Sequence, residues 1–288
     1  MKLTIHGYST ALYATWYFIE ELGILLDAGD GVCAHLLGKA GKIKHAFISH
    51  ADRDHLTGLL QFNQLNAKLK PTVYYPKDSG SFRFLEDFFN KFDGHSKGTN
   101  WQAIEDKSKI AIKKSMYVEA LENGHIVQPG LLKSLSFKVV ETKQKLKPEF
   151  VNLHKDELIK LKQTHGDDFL TNEFKRTILS YSADSPVEDY QRYENSEILI
   201  HEATFLTKEE TNTKSWKNKH SSLEEVLEMV ANSNIQKVIL GHFSSRYYQH
   251  EIDAAIKKYI QHYNITIPVY RIPVGNAVKN ILEHAPIN

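Results

Sequence analysis

The chain has 288 residues, of which 41% are hydrophobic and 25% are charged. This length and composition are typical of a folded globular protein and exclude a disordered chain. Its 36 Lys and Arg residues and 35 Asp and Glu residues give a formal net charge of +1. A general attraction to nucleic acid or to an anionic membrane is therefore excluded, and any polyanion must be recognised locally. The single cysteine, Cys33, excludes a disulfide framework and thiolate zinc modules, and it fits a reducing compartment.

The sequence shows no internal repeat, low-complexity tract or linker, so we expect one continuous domain over residues 1–288. No stretch approaches the roughly 18 consecutive apolar residues that a membrane span needs. The N-terminal residues also lack a long apolar segment after their first positive charge. We therefore expect a cytoplasmic protein with no membrane association.

Short apolar runs that end in polar residues or glycine predict buried strands. They lie at residues 23–27, 46–50, 178–184, 198–202 and 238–242. Helical spacing of apolar residues predicts helices at residues 56–69 and 82–92, and Ser222 with Glu225 matches a capping box at the start of a third helix. Alternating strands and helices indicate an α/β layered fold, in which ligands collect where strands end.

Residues 143–176 form the longest region without an obvious strand. They carry eight Lys or Arg and six Asp or Glu residues. This mixture predicts a solvated surface, with a helix near residues 156–162, and it would grip nucleic acid only weakly. The loop at residues 207–219 contains four lysines, which predict either a contact with a nucleic-acid backbone or a solvated face.

The strongest local signal is the segment His50-Ala-Asp52-Arg-Asp54-His55, at the end of a predicted strand. Residues two apart in an extended segment point to the same side, so His50 and Asp52 can share one metal ion. Asp54 and His55 lie where the chain turns into a helix and can bind a second ion. Nitrogen and oxygen donors without sulfur suit Zn²⁺ in an open, hydrolytic site. The alternative is a polar loop that caps a helix through Asp52 or Asp54.

Several motifs resemble those of the metallo-β-lactamase superfamily. Residues 25–31 (Leu-Leu-Asp-Ala-Gly-Asp-Gly) and residues 47–59, which include the His50 segment, are similar to the superfamily's opening motifs. More narrowly, His201-Glu-Ala-Thr-Phe205, His220-Ser-Ser222 and Gly241-His-Phe-Ser-Ser-Arg-Tyr247 resemble ribonuclease Z, the tRNA 3′-processing endonuclease. The similarity is greatest to the short form without the protruding flexible arm. It implies a four-layer αβ/βα sandwich.

The resemblance further implies two Zn²⁺ ions and their ligands. One ion would be bound by His50, His125 and Asp184, with Asp52 where the family has a histidine, and the other by Asp54, His55, Asp184 and His242. Asp184 would bridge the two ions. Because Asp52 adds a negative charge, we expect its metal ion to be a weaker Lewis acid and its site to accept Mn²⁺. For His125, which precedes an apparent insertion at residues 129–133, the alternative is a loop histidine in solvent.

Three catalytic roles also follow from the resemblance. His220 would donate a proton to the leaving 3′-oxygen, Glu202 would orient the imidazole, and Asp54 would take a proton from the attacking water. A carboxylate partner raises the pKa of a histidine and fixes its tautomer, which suits an acid that works near neutral pH.

Two further positions, Arg246 and Ser244, are predicted to bind a substrate phosphate. For Arg246 a structural salt bridge is the alternative. Asp27 and residues 29–31 are assigned to a tight turn that supports the site.

The leading hypothesis is a dinuclear zinc phosphodiesterase of the ribonuclease Z type that acts on the 3′ ends of precursor tRNA and, by resemblance, forms a homodimer. A second hypothesis keeps the metals but replaces the substrate with DNA or a small phosphodiester. A third is a degenerate, non-catalytic paralogue that has lost one metal ion through Asp52 and His125. The presence of His220 and Glu202 argues against the third hypothesis, because a scaffold has no use for an acid.

Overall fold

The computed structural model describes residues 1–92, 94–211 and 219–288, which form two large β-sheets with helices on their outer faces and one separate two-stranded sheet. The strands are β1 Ile5–Thr10, β2 Ala14–Ile19, β3 Ile24–Leu26, β4 His45–Phe47, β5 Thr72–Pro76, β6 Asn100–Ile104, β7 Lys109–Lys113, β8 Met116–Glu122, β9 Val127–Gln128, β10 Leu131–Leu132, β11 Leu135–Leu146, β12 Thr171–Tyr181, β13 Leu199–Glu202, β14 Val238–Gly241 and β15 Val269–Arg271. The α-helices are α1 Val32–Leu36, α2 Arg53–Leu56, α3 Leu59–Asn66, α4 Ser81–Phe92, α5 Lys155–His165, α6 Asp167–Leu170, α7 Lys208–Thr211, α8 Leu223–Ala231 and α9 Gln249–His262. Every helix in this part of the chain is too short or too polar to cross a lipid bilayer.

Both large sheets mix parallel and antiparallel pairs. The first has the strand order β1-β2-β3-β4-β5-β6, and the second has the order β15-β14-β13-β12-β11-β8-β7. Strands β3 to β6 run parallel to one another, as do β12 to β15. Because the carboxyl ends of neighbouring parallel strands meet at one edge of a sheet, the residues that follow these strands are brought together there.

Three apolar cores hold the layers together. The central core lies between the sheets, where the rings of Phe47 from β4 and Phe137 from β11 have centroids 5.4 Å apart. The outer face of the first sheet packs against α1, α3 and α4 through side chains such as Trp16 and Phe62. The outer face of the second sheet packs against α8 and α9. The predicted four-layer αβ/βα sandwich is therefore confirmed.

The region at residues 143–176 differs from its prediction. Strands β11 and β12 extend into it and pair antiparallel, from Thr142 opposite Lys175 to Leu146 opposite Thr171. Most side chains of this extension are exposed on both faces, so no alternation of apolar residues marks the strands in the sequence. The prediction that this region lacks a strand was wrong, whereas the helix expected within it is present as α5.

The helix predicted over residues 56–69 is interrupted by a glycine. Gly58 separates α2 from α3, and its amide donates a hydrogen bond to the carbonyl of Ala28 at 2.8 Å. A β-carbon at Gly58 would lie 2.3 Å from the carbonyl oxygen of Gly29. Glycine is therefore required where the α2 segment packs against the turn that follows β3.

We expect Gly58→Ala to lower the free energy of unfolding by about 2 kcal/mol, because overpacking typically costs about 1–3 kcal/mol. Gly38→Ala is the matched control, since a β-carbon there meets no atom within 4 Å. The control should change stability by less than about 0.5 kcal/mol. Urea denaturation followed by circular dichroism measures both variants. Equal stability of the two would contradict the close approach at Gly58.

Candidate metal centre

All the side chains predicted to bind metal converge at the carboxyl ends of the parallel strands. His50 follows β4, Asp184 follows β12 and His242 follows β14. Donor atoms within 4.8 Å of one another form five groups among the described residues, and two of the five include His220. The groups are His50 with Asp52 and His125, His50 with His55 and Asp184, Asp54 with His55 and His242, His125 with Asp184 and His220, and Glu202 with His220 and His242. The groups share members, so the donors form one continuous cluster rather than separate sites.

The first part of the cluster surrounds Asp52. Its Oδ2 atom lies 3.6 Å from Nε2 of His50 and 3.6 Å from Nε2 of His125. Nε2 of His50 also lies 3.8 Å from Oδ2 of Asp184. These separations are too long for hydrogen bonds. They suit ligands of a common ion, since donors about 2.1 Å from a tetrahedral ion are about 3.4 Å apart.

The second part surrounds Asp54. Its Oδ2 atom lies 3.7 Å from Nε2 of His55 and 3.4 Å from Nε2 of His242. The Asp184 carboxylate completes this part, with Oδ2 at 3.3 Å from His55 and Oδ1 at 3.4 Å from His242. Asp184 therefore faces both parts of the cluster.

Two ring nitrogens in the cluster indicate that its residues fit a metal ion. Nε2 of His50 and Nε2 of His55 are buried and have no hydrogen-bond partner among the described residues. A buried polar atom without a partner costs free energy, so such atoms are rare unless a ligand satisfies them. A divalent ion bound by nitrogen and carboxylate donors, such as Zn²⁺, would satisfy both nitrogens.

The opposite ring nitrogen, Nδ1, is anchored in each of the four histidines. The acceptors are Ser49 Oγ for His50 at 2.8 Å, Asp27 Oδ2 for His55 at 2.8 Å, Lys219 O for His125 at 3.0 Å and Thr204 Oγ1 for His242 at 2.9 Å. Histidines that bind metal commonly donate their second N–H to such acceptors, which fixes the tautomer and directs Nε2 to the ion. The arrangement of all four rings therefore suits metal binding through Nε2.

Asp27 does more than support a turn. Its fully buried carboxylate accepts hydrogen bonds from the amide and hydroxyl of Ser49, from His55 and from the hydroxyl of Tyr181. Its backbone φ of 55° lies in the left-handed region, as expected for the predicted tight turn. Asp27 orients His55 directly and His50 through Ser49.

His125 is buried rather than solvated. It is 5% exposed, and its amide donates a hydrogen bond to Oδ1 of Asn123 at 3.2 Å. The apparent insertion at residues 129–133 includes the turn and second strand of the small hairpin β9–β10. The alternative for His125, a loop histidine in solvent, is therefore wrong.

Glu202 and His220 form an ion pair beside the cluster. Nδ1 of His220 donates to Oε1 of Glu202 at 3.0 Å, and the His220 side chain is 27% exposed, so a substrate can reach it. Burial opposes a charged imidazole, but the carboxylates of Glu202 and Asp184 raise the pKa of His220 to about 9. Burial likewise opposes ionisation of Glu202, yet His220 lowers the pKa of Glu202 overall. The pair can therefore hold a proton on the imidazole at neutral pH.

Thr204 connects this ion pair to the metal ligands. Its hydroxyl donates to Oε2 of Glu202 at 2.6 Å and accepts from Nδ1 of His242 at 2.9 Å. Thr204 was not predicted to have a functional role. A hydroxyl two residues after a carboxylate at a strand end could nevertheless have indicated one. Ser49, next to His50, was detectable in the same way. Tyr181 was not, because 154 positions separate it from Asp27.

The predicted phosphate-binding residues make their side-chain contacts with residues outside the predicted metal ligands. The Arg246 guanidinium lies 3.5 Å from Glu210 and over the rings of Phe205 and Tyr247, at 5.0 and 4.9 Å from their centroids. This is the structural ion pair considered as the alternative, although 51% of the Arg246 side chain remains exposed. The backbone amide of Arg246 donates a long hydrogen bond of 3.5 Å to Oγ of Ser244. Phosphate binding by Arg246 and Ser244 stays a prediction.

The lysine-rich loop at residues 207–219 is only partly described. Lys214 and Lys217 lie outside the described residues. Lys208 forms an ion pair with Glu228, and Lys219 uses its backbone carbonyl to anchor His125. A contact between this loop and nucleic acid stays a prediction.

Comparison with known proteins identifies the family of the chain. The family model described as "Beta-lactamase superfamily domain" matches residues 23–243. The chain is 24% identical to tRNase Z TRZ1 of Arabidopsis thaliana over 88% of this chain and 89% of that protein. It is 26% identical to ribonuclease Z of Natronomonas pharaonis over 86% of this chain and 88% of that protein.

Solved structures share the fold at lower identity. The metallo-β-lactamase fold protein YhfI of Bacillus subtilis has a TM-score of 0.65 at 15% identity, covering 96% of this chain and 100% of that one. The short form of human tRNase Z has a TM-score of 0.61 at 17% identity, covering 96% and 99%. The chain therefore belongs to the beta-lactamase superfamily and has the metallo-β-lactamase fold of a metal-dependent hydrolase.

Proposed function

We propose that this protein is a dinuclear, zinc-dependent phosphodiesterase of the ribonuclease Z type that cleaves precursor tRNA at its 3′ end. The observation that carries this proposal is the ion pair of Glu202 and His220, 3.0 Å apart, beside the donor cluster. A proton donor is needed when the leaving group is a poor one, such as the 3′-oxygen of a nucleotide. The relatives named ribonuclease Z and tRNase Z, which align over most of the chain, support the choice of RNA.

In this proposal the cluster divides between two ions. His50, Asp52 and His125 would hold one ion, Asp54, His55 and His242 would hold the other, and Asp184 would contact both. The bound ions would neutralise charge on the scissile phosphate and lower the pKa of the attacking water.

The remaining chemistry belongs to the protein's own side chains. Asp54, whose carboxylate is oriented by the amide of Leu12 at 3.0 Å from Oδ2, would accept a proton from the attacking water. Nε2 of His220 would give a proton to the leaving 3′-oxygen. Glu202 would keep the ring in place through Nδ1 and stabilise its charged form until that transfer.

The proposed function is tested with a precursor tRNA carrying a 3′ trailer, incubated with the purified zinc-loaded protein. We expect one cut directly after the discriminator nucleotide, and we expect a chelator to abolish it. A single-stranded DNA of the same length as the trailer is the parallel substrate. Cleavage of the DNA but not of the precursor would contradict the proposal, as would cleavage of the precursor at scattered positions.

We expect His220→Ala to slow precursor cleavage by about 10²–10⁴-fold, the usual contribution of a positioned acid. The same variant should hydrolyse bis(p-nitrophenyl) phosphate at close to the wild-type rate, because p-nitrophenolate departs without a proton. His154→Ala is the control, since the His154 side chain is 81% exposed and lies outside the donor cluster. An equal loss on both substrates would show that His220 acts otherwise than as an acid.

The carboxylate at position 52 leads to a prediction about metal identity. Compared with a histidine, Asp52 adds one negative charge and an oxygen donor, which favours harder ions. After dialysis against equal Zn²⁺ and Mn²⁺, we expect the wild type to retain a larger share of Mn²⁺ than Asp52→His, as measured by elemental analysis. Identical metal content and identical rates in the two proteins would refute the charge argument.

A second candidate is a phosphodiesterase that acts on a small substrate. The solved structure of a diphosphatase from the PhnP family shares this fold. Its TM-score is 0.60 at 11% identity, over 96% of this chain and 97% of that one. The chromogenic and precursor assays together separate this candidate from the first. A non-catalytic role has no support in the geometry, since the donor cluster and the acid pair lie together.

A further inference from the structure

Helix α4 carries exposed phenyl rings that the metal centre does not use. Phe84, Phe88 and Phe92 are 79%, 46% and 64% exposed, and we call them the phenyl face. The rings of Phe88 and Phe92 lie 5.1 Å apart and nearly parallel, at 17°. Rings at this exposure are unusual for a surface helix, because a helix normally turns its apolar side chains toward the core.

The phenyl face is supported from beneath by a second set of rings. Phe82 and Phe89, on the opposite part of α4, are buried. Phe82 stacks on Tyr75 at 4.7 Å, and Phe89 packs against Trp101 at 5.7 Å. This packing fixes the rotation of α4 about its axis, so that the phenyl face stays directed outward without any requirement for a partner.

Helix α4 also lines a groove that reaches the donor cluster. The groove has a volume of about 580 Å³ and is lined by Asp52, Asp54 and Arg53 together with Ser81 and Leu85 of α4. With about 3.6 residues per turn, the three phenyl positions span an arc of about 80°, and both Ser81 and Leu85 lie within about 60° of Phe88. The groove-lining residues of α4 therefore lie on the same side of the helix as the phenyl face.

We propose that the phenyl face stacks the bases of a single-stranded segment of the nucleic-acid substrate that leaves the metal centre through this groove. This proposal rests on the proposed function and names a contact for the same substrate class. Aromatic side chains bind unpaired bases by stacking on them, and such stacking tolerates any sequence. The exposed Arg53 in the groove would contact the phosphate backbone on the path between the centre and the rings.

The occupant follows from the chemistry and from the position of the face. The large exposed apolar side chains of α4 are all phenyl rings, whereas its aliphatic Leu85 faces the groove. Rings on the side of α4 that faces a groove from the proposed phosphodiester centre lie beside the path of the strand being cut. A second copy of the chain would also bury these rings. Dimerisation through the phenyl face would therefore contradict the proposal.

The test compares wild type with the triple variant Phe84→Gln, Phe88→Gln and Phe92→Gln, since glutamine keeps a high helix propensity. Fluorescence anisotropy measures the dissociation constant of a fluorescein-labelled oligodeoxythymidine 12-mer with the zinc-loaded protein. We expect the triple variant to bind the 12-mer at least about five-fold more weakly, the effect of losing one stacked base. Phe174→Gln is the control, because Phe174 is a 51% exposed phenyl on β12.

The rate on bis(p-nitrophenyl) phosphate should be unchanged in both variants, which shows that the centre is intact. Equal binding of the 12-mer by wild type and the triple variant would overturn the stacking proposal. So would a change from dimer to monomer in size-exclusion chromatography with 12-mer binding unchanged, which would assign the face to a second copy. If precursor tRNA is not cleaved but 12-mer binding still falls, the proposed substrate fails and the stacking contact stands.

Discussion

The metal centre depends on one buried carboxylate. Asp27 is fully buried, and an isolated charge in that position would be very costly. Four hydrogen bonds, two of them from Ser49, stabilise it. Through these bonds Asp27, at the end of β3, fixes the segment after β4 and contacts Tyr181 of the second sheet. One carboxylate thereby connects both sheets directly beneath the histidines of the donor cluster.

Above Asp27, opposite charges alternate. The imidazoles of His242 and His55 hold the pKa of Asp184 well below its usual range even though burial opposes ionisation. In turn, burial disfavours a charged His55, but Asp184 and Asp27 raise its pKa well above the usual value. Positive charge between the carboxylates is therefore stabilised, and this property makes the cluster suitable for divalent ions. Thr204 extends the same network to Glu202, so the pair of Glu202 and His220 and the predicted metal ligands share one set of hydrogen bonds.

The sequence predicted those parts of the structure that depend on the pattern of neighbouring residues along the chain. Strand ends follow from short apolar runs, and Asp184 and His242 could be placed because each follows such a run. The extension of β11 and β12 could not be predicted, because both of its faces meet solvent and no apolar pattern is needed there. The contact between Tyr181 and Asp27 was equally hidden, since it forms only when the two sheets pack. Motifs identify the donors, but packing decides how they are anchored.

The position of Asp52 explains how the cluster tolerates an additional carboxylate. Its side chain is 57% exposed, whereas that of His50 is fully buried. Water can therefore solvate Asp52 from one side while His125 and His50 lower its pKa from the other. A carboxylate at the position of His50 would lack that solvation and would leave the interior with an uncompensated charge. Asp52 thus lies at the mouth of the site, where an added charge costs least and where it faces the groove that leads to α4.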